Sequence, residues 1–193
     1  MDAIEGAKQI FKGKWNHMKR ILILSGSPRR NGNSDRLCDE FARGAKEAGH
    51  AVEKVFLRDL HIGYCRGCAA CEESGVCVQK DDMAALLERM IAADVLVLAT
   101  PVYFYTMDAQ LKTVIDRTVA RYTEIKNKEL YFIATAADGK AAMERTIDGL
   151  RGFLDCLPGA VEKGVVYGEH AWRVGEIEST PAMREAFEMG KNA

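Results

Sequence analysis

A chain of 193 residues with 48% hydrophobic content and a formal net charge of -1 can bury one substantial core, and it lacks the positive excess of a nucleic-acid or acidic-membrane binder. No apolar run approaches the roughly 18 residues that a membrane span needs, and the basic-then-apolar order of a signal peptide is missing, so the expectation is a cytoplasmic protein with a small-molecule partner. In a compartment that keeps thiols reduced, six cysteines point to metal or redox chemistry before disulfides.

Residues 1–18 show weak periodicity and read as an N-terminal extension, with Met18 standing where a compact form of the domain would begin; 19–193 reads as one domain. The run Ile21-Leu22-Ile23-Leu24 is continuously apolar and is followed by Gly26 and Pro28, the signature of a strand buried on both faces of a parallel sheet. Ser34 is expected to cap a helix over Asp35 to Glu47, carrying Leu37, Phe41 and Ala45 on one face and ended by Gly49. Val52 to Leu57 gives a second strand. A cysteine-bearing segment occupies 62–80, after which Asp81 or Asp82 caps a helix with Met83, Leu86, Leu87, Met90 and Ile91 at helical period. Val95 to Leu98 is the third strand, and a loop over Thr100 to Thr106 leads into a helix with Leu111, Val114, Ile115 and Val119. Leu130 to Ala134 is strand four, Ile147 to Leu157 a helix, and Val161 to Val166 strand five; a last helix starts at Pro181 and ends at Gly190. Strands alternating with helices predict an α/β fold whose parallel sheet is covered on both faces and binds ligands at the strands' carboxyl ends.

The segment from Ser25 to Ser34 joins the first strand to the first helix, where backbone N–H groups and the positive helix end meet. Ser25, Ser27 and Ser34 offer hydroxyls, Asn33 an amide, and Arg29 or Arg30 a cation, a donor set that suits a phosphate dianion. Five residues, not four, separate Gly26 from Gly32, and Asn33 stands where a Walker loop needs lysine, so nucleoside triphosphate hydrolysis is disfavoured; the dinucleotide fingerprint is not spelled either. After strand three, Pro101 stiffens the backbone while Val102, Tyr103 and Phe104 offer an apolar wall for a flat aromatic ligand, with core packing or a dimer surface as the alternative role.

Gly26-Ser27-Pro28-Arg29 followed by Gly32-Asn33-Ser34 resembles the FMN phosphate loop of the NADPH-dependent FMN reductase family. Thr100-Pro101-Val102-Tyr103-Phe104 resembles its second flavin loop and Leu111-Lys112 with Asp116-Arg117 the helix after it, and Gly175-Glu176-Ile177 with the stretch Ala186 to Lys191 also resembles the family's C-terminal part. The resemblance runs from about Lys19 to Lys191. It implies a flavodoxin-like three-layer sandwich with a five-stranded parallel sheet in the order 2-1-3-4-5, an FMN held by these loops, and NAD(P)H as electron donor. Thr135 and Ala136, in the loop after strand four, would supply backbone donors to the polar edge of the ring.

Cys65-x2-Cys68-x2-Cys71-x5-Cys77 places four thiols in one short stretch. This spacing lets neighbouring cysteines reach different irons of one cube, and the pattern is similar to that of the iron–sulfur flavoproteins, a branch of the same family, which implies a 4Fe-4S cluster. Metal-free thiols, a labile disulfide and zinc are the alternatives. Cys38 and Cys156 read as core or near-core residues.

The expected function is therefore that of an FMN-dependent oxidoreductase passing electrons from NAD(P)H, or from a ferredoxin-like donor, to a small acceptor. A homodimer or homotetramer with sites at the interface is expected. The alternatives are a non-enzymatic flavodoxin-like electron carrier and a zinc-stabilised interaction domain.

Overall fold

A computed structural model describes residues 18–193; most of the extension read over 1–18 lies outside the described residues. The strands are β1 (Arg20–Ser25), β2 (Ala51–Phe56), β3 (Val95–Tyr103), β4 (Thr106–Met107), β5 (Glu129–Thr135) and β6 (Val161–Gly168). Between them run α1 (Asn33–Glu47), a single turn α2 (Cys71–Ser74), α3 (Met83–Ala92), α4 (Ala109–Arg117), α5 (Glu144–Asp155) and α6 (Ala182–Lys191). The main path is β2-β1-β3-β5-β6, all parallel, which is the flavodoxin-like order expected for five strands. The sixth strand, β4, is an addition: it pairs antiparallel with β3 and lies off this path.

Alternation along each strand divides the core. Leu22, Leu24, Leu96, Leu98, Leu130 and Phe132 face α3, α4 and α5. Ile21, Ile23, Val95, Val97, Tyr131 and Ile133 face α1 and α6. The sheet is therefore the middle of three layers. Between α1 and α6 the backbones nearly touch: a Cβ on Gly44 would stand 2.0 Å from the Phe187 carbonyl oxygen, and one on Gly190 would stand 2.0 Å from that of Phe41. Gly190 thus lies inside α6 as a packing residue instead of ending it.

Three further elements differ from the sequence reading. The expected loop over Thr100 to Thr106 is mostly strand: β3 runs on to Tyr103 and folds into β4 through Phe104 and Tyr105, with φ of 49° and 63°. A two-residue turn with both φ positive matches the twist of a hairpin but is usually built from Asn and Gly, so the aromatic pair hid it. Ser34 does not cap α1; the N-cap is Gly32, which has no side chain to offer, and Ser34 is the second helical residue. Cys38 is buried, whereas Cys156 is exposed because it follows the last turn of α5. Among the described residues no helix is long and apolar enough to cross a membrane.

Candidate functional site

At the carboxyl ends of β1, β3 and β5 a cavity of about 160 Å³ opens between three loops. The first loop contributes Ser27, Pro28, Arg29, Asn33 and Ser34; the second Pro101, Val102 and Tyr103; the third Thr135 and Ala136. Two of the expected residues do not border it. Ser25 is buried beneath the loop, where its hydroxyl donates to Asp35 Oδ1 at 3.0 Å. Phe104 is fully exposed at the hairpin tip and points none of its surface into this cavity. A roomier groove of about 270 Å³ lies by Arg20, Ala51 and Arg89, at the opposite ends of β1 and β2, away from every loop that carries polar donors.

The first loop presents donors that could receive an anion. Gly32 provides no capping side chain, and the first bond of α1 runs from the Arg36 N–H to the Gly32 carbonyl, so the N–H groups of residues 33–35 precede the helical ladder. The Ser34 hydroxyl is buried, has no hydrogen-bond partner and borders the cavity. Burying a hydroxyl unpaired costs about 1–3 kcal/mol, so this atom is the clearest mark of a ligand contact. Arg29 is exposed at the rim and has no carboxylate partner among the described residues, whereas Arg30 is tied to Asp59 at 2.5 Å and stacks on Phe56.

Asp35 holds the loop from below, accepting from the Ser25 hydroxyl, from the Asn31 N–H at 3.0 Å and from Lys54 Nζ at 2.9 Å. Asn31 sits at φ 56°, a left-handed conformation that Asn tolerates better than most residues. Asn33 has a different role from the phosphate amide expected of it. Its Nδ2 donates to the carbonyls of Ala171 at 3.0 Å and Arg173 at 2.9 Å, and its Oδ1 accepts from the Gly175 N–H at 3.1 Å. It clamps a fourth loop, which closes the cavity with Ala171, Trp172 and Val174. In the sequence only Gly175, at its end, stands out, by family resemblance; Trp172, a large apolar side chain 75% exposed beside the cavity, is the structural mark of this wall.

Asp108 was likewise missed. It caps α4, with Oδ1 accepting from the Leu111 N–H at 2.8 Å and Oδ2 lying 2.8 Å from Thr100 Oγ1. It also explains Gly26, because a Cβ there would stand 2.3 Å from Asp108 Oδ2. Burial pushes the Asp108 carboxyl up to about 6, against which the hydrogen bonds from Leu111 and Thr100 act.

A second cavity, of about 130 Å³, is bordered by all four cysteines of the 62–80 segment, together with Gln79 and Arg117. Cys65 and Cys68 are exposed, Cys71 and Cys77 half-buried, and none of the four is paired in a disulfide here. Among the described residues no group of three or more His, Cys, Asp or Glu side chains converges as the ligands of one metal ion do.

Comparison with known proteins follows this geometry. The profile described as NADPH-dependent FMN reductase matches residues 19–172. An iron–sulfur flavoprotein of Methanosarcina thermophila is 30% identical over 177 residues, covering 89% of this chain and 92% of that protein. Another, from Methanocaldococcus jannaschii, is 34% identical over 136 residues, covering 69% and 70%. A third, from Archaeoglobus fulgidus, is 43% identical over 100 residues, though this chain spans only 45% of its length. Among solved structures, an NAD(P)H:quinone oxidoreductase from Methanothermobacter marburgensis superposes with a TM-score of 0.75 at 19% identity, covering 91% of this chain and 96% of that one; it speaks for the fold.

Proposed function

From the premise that this chain belongs to the NADPH-dependent FMN reductase family and is an FMN-dependent oxidoreductase, we propose that its FMN phosphate sits at the N-terminus of α1 and its ring against the β3–β4 hairpin. The observation that carries this is the buried, partnerless Ser34 hydroxyl at an uncapped helix end, in a cavity shared with Pro101, Val102, Tyr103, Thr135 and Ala136. The helix end and Ser34 bind the phosphate, with Arg29 adding charge from the rim. Val102 and Tyr103 orient the ring, and Trp172 with Val174 limits water on the outer side. Bound FMN supplies hydride acceptance from NAD(P)H and the means to release electrons singly or in pairs to an acceptor. The test is FMN affinity by fluorescence titration: Ser34→Ala with Arg29→Ala weakens binding at least tenfold, and unchanged affinity removes the phosphate from this loop.

The cysteine cavity fits a 4Fe-4S cluster in its chemistry, since four thiols border one space and their spacing lets neighbouring cysteines reach different irons. Four thiolates on separate irons suit that arrangement better than one tetrahedral zinc. Cys65, Cys68, Cys71 and Cys77 would hold the cluster, which would supply single-electron exchange with a ferredoxin-like partner. Anaerobic reconstitution with iron and sulfide, followed by iron counting and EPR, yields about four irons per chain with loss of the signal in each Cys→Ser variant. Uptake of one zinc in place of iron overturns the cluster. The exposed Phe104 and Tyr105, 100% and 57% accessible, favour a homodimer or homotetramer in which the hairpin meets a neighbouring copy.

A further inference from the structure

The cysteine cavity has a charged wall that thiol spacing does not account for. Arg117, the last residue of α4, is 2% exposed. Its Nη1 donates to the Gly63 carbonyl at 2.6 Å and to Asp81 Oδ2 at 2.7 Å, while Nη2 donates to Asp81 Oδ1 at 3.0 Å. The Gly63 N–H closes the same knot on Asp81 Oδ2 at 3.0 Å. Gly63 precedes Cys65 by two residues and Asp81 follows Cys77 by four, so one guanidinium ties the entry and exit of the cysteine segment to the flavin domain.

This tie leaves an atom over. Both Nη atoms are engaged, but Arg117 Nε is buried without an acceptor, and the residue borders the cavity that all four cysteines line. The fork to Asp81 holds the guanidinium charged, and the Cys77 thiol is the next acidic group acting on it. An unpaired buried N–H on a cation is costly, and a thiolate sulfur is an acceptor that relieves it.

We propose that Arg117 is a positioning residue for the cysteine-bound centre, its Nε–H donating to a ligating sulfur so that the form of the centre with one more electron is favoured. This rests on the cluster reading given above. Because Asp81 cancels the charge at long range, the effect is short-ranged and dipolar, and a tenfold bias in the redox equilibrium is the expected size.

The experiment uses the FMN-loaded chain reconstituted with iron and sulfide, and compares wild type with Arg117→Gln/Asp81→Asn and with Arg117→Lys. In the double variant the cluster midpoint falls by tenfold in equilibrium, about 59 mV for one electron, while the FMN midpoint stays within a factor of three. Arg117→Lys, which keeps the charge but has no Nε–H, falls as far as the double variant. A parallel arm loads the iron-free chain with cobalt(II). Loss of a hydrogen bond to sulfur moves the thiolate-to-cobalt charge-transfer band to longer wavelength in the double variant. Unshifted potential or band at full metal content overturns the role of Arg117, as does a double variant that holds neither metal. Wild type that binds cobalt but never iron sinks the cluster reading alone, and the cobalt band then still decides on Arg117. Wild type that takes neither metal sinks both.

Discussion

Asp108→Asn separates the electrostatic from the geometric part of the floor beneath the proposed flavin site. Burial between Gly26 and Thr100 penalises the charged form and pushes the wild-type carboxyl up to about 6 from the usual 3.8. The native state therefore keeps a proton that the unfolded state has already lost. Its stabilisation is fully present below pH 3.8 and is lost as pH rises through about 6. A gap of about two pH units corresponds to about 3 kcal/mol, net of the hydrogen bonds that favour the charged form. Asparagine remains neutral throughout and retains the geometry: Oδ1 can accept from Leu111, Nδ2 can donate to Thr100 Oγ1, and that hydroxyl can turn to the Pro101 carbonyl 2.7 Å away. Urea unfolding at pH 4 and at pH 8 is the assay. The advantage of the variant over wild type grows by about 2–3 kcal/mol between the two. Parallel stability-versus-pH curves would refute the buried-carboxylate reasoning.

Gly190→Ala forces a methyl group against the Phe41 carbonyl and separates α1 from α6, costing about 1–3 kcal/mol in thermal or urea unfolding; wild-type stability would contradict the close crossing. Asn33→Ala releases the loop around Trp172, so FMN affinity falls severalfold and Trp172 fluorescence becomes more accessible to a quencher, whereas unchanged quenching would show that the loop holds itself. Phe104→Asp shifts the proposed oligomer to monomer on size-exclusion chromatography with little change in stability, since the ring is fully exposed within the chain; an unchanged elution volume removes the hairpin from the interface.

The sheet was legible because strands buried on both faces leave no polar residues to blur the pattern, as in Ile21 to Leu24 and Val95 to Leu98. The loops were legible as anion and ring sites only to the extent that residue type dictates contact. Ser34 and Tyr103 reach the cavity, yet Ser25 turns downward because Asp35 offers it a buried acceptor, a pairing across ten positions that no local pattern displays. Asp108, Thr100 and Gly26 are linked through space in the same way, and so are Arg117, Asp81 and Gly63. Phe104 escaped because its left-handed backbone carries it out of the strand that the preceding aromatic still follows.

The contact of α1 with α6 has a consequence for how the protein comes into being. The helix whose amino end is proposed to receive the phosphate is seated, through Gly44 and Gly190, on α6, and Asn33 reaches across to 171–175. Synthesis proceeds from the other end. Until residues 171–191 have emerged from the ribosome, α1 lacks its seat and the cavity lacks its outer wall. The site is thus completed late although its first loop is made early, and a chain that has not yet emerged past α6 presents only an unfinished pocket to free flavin.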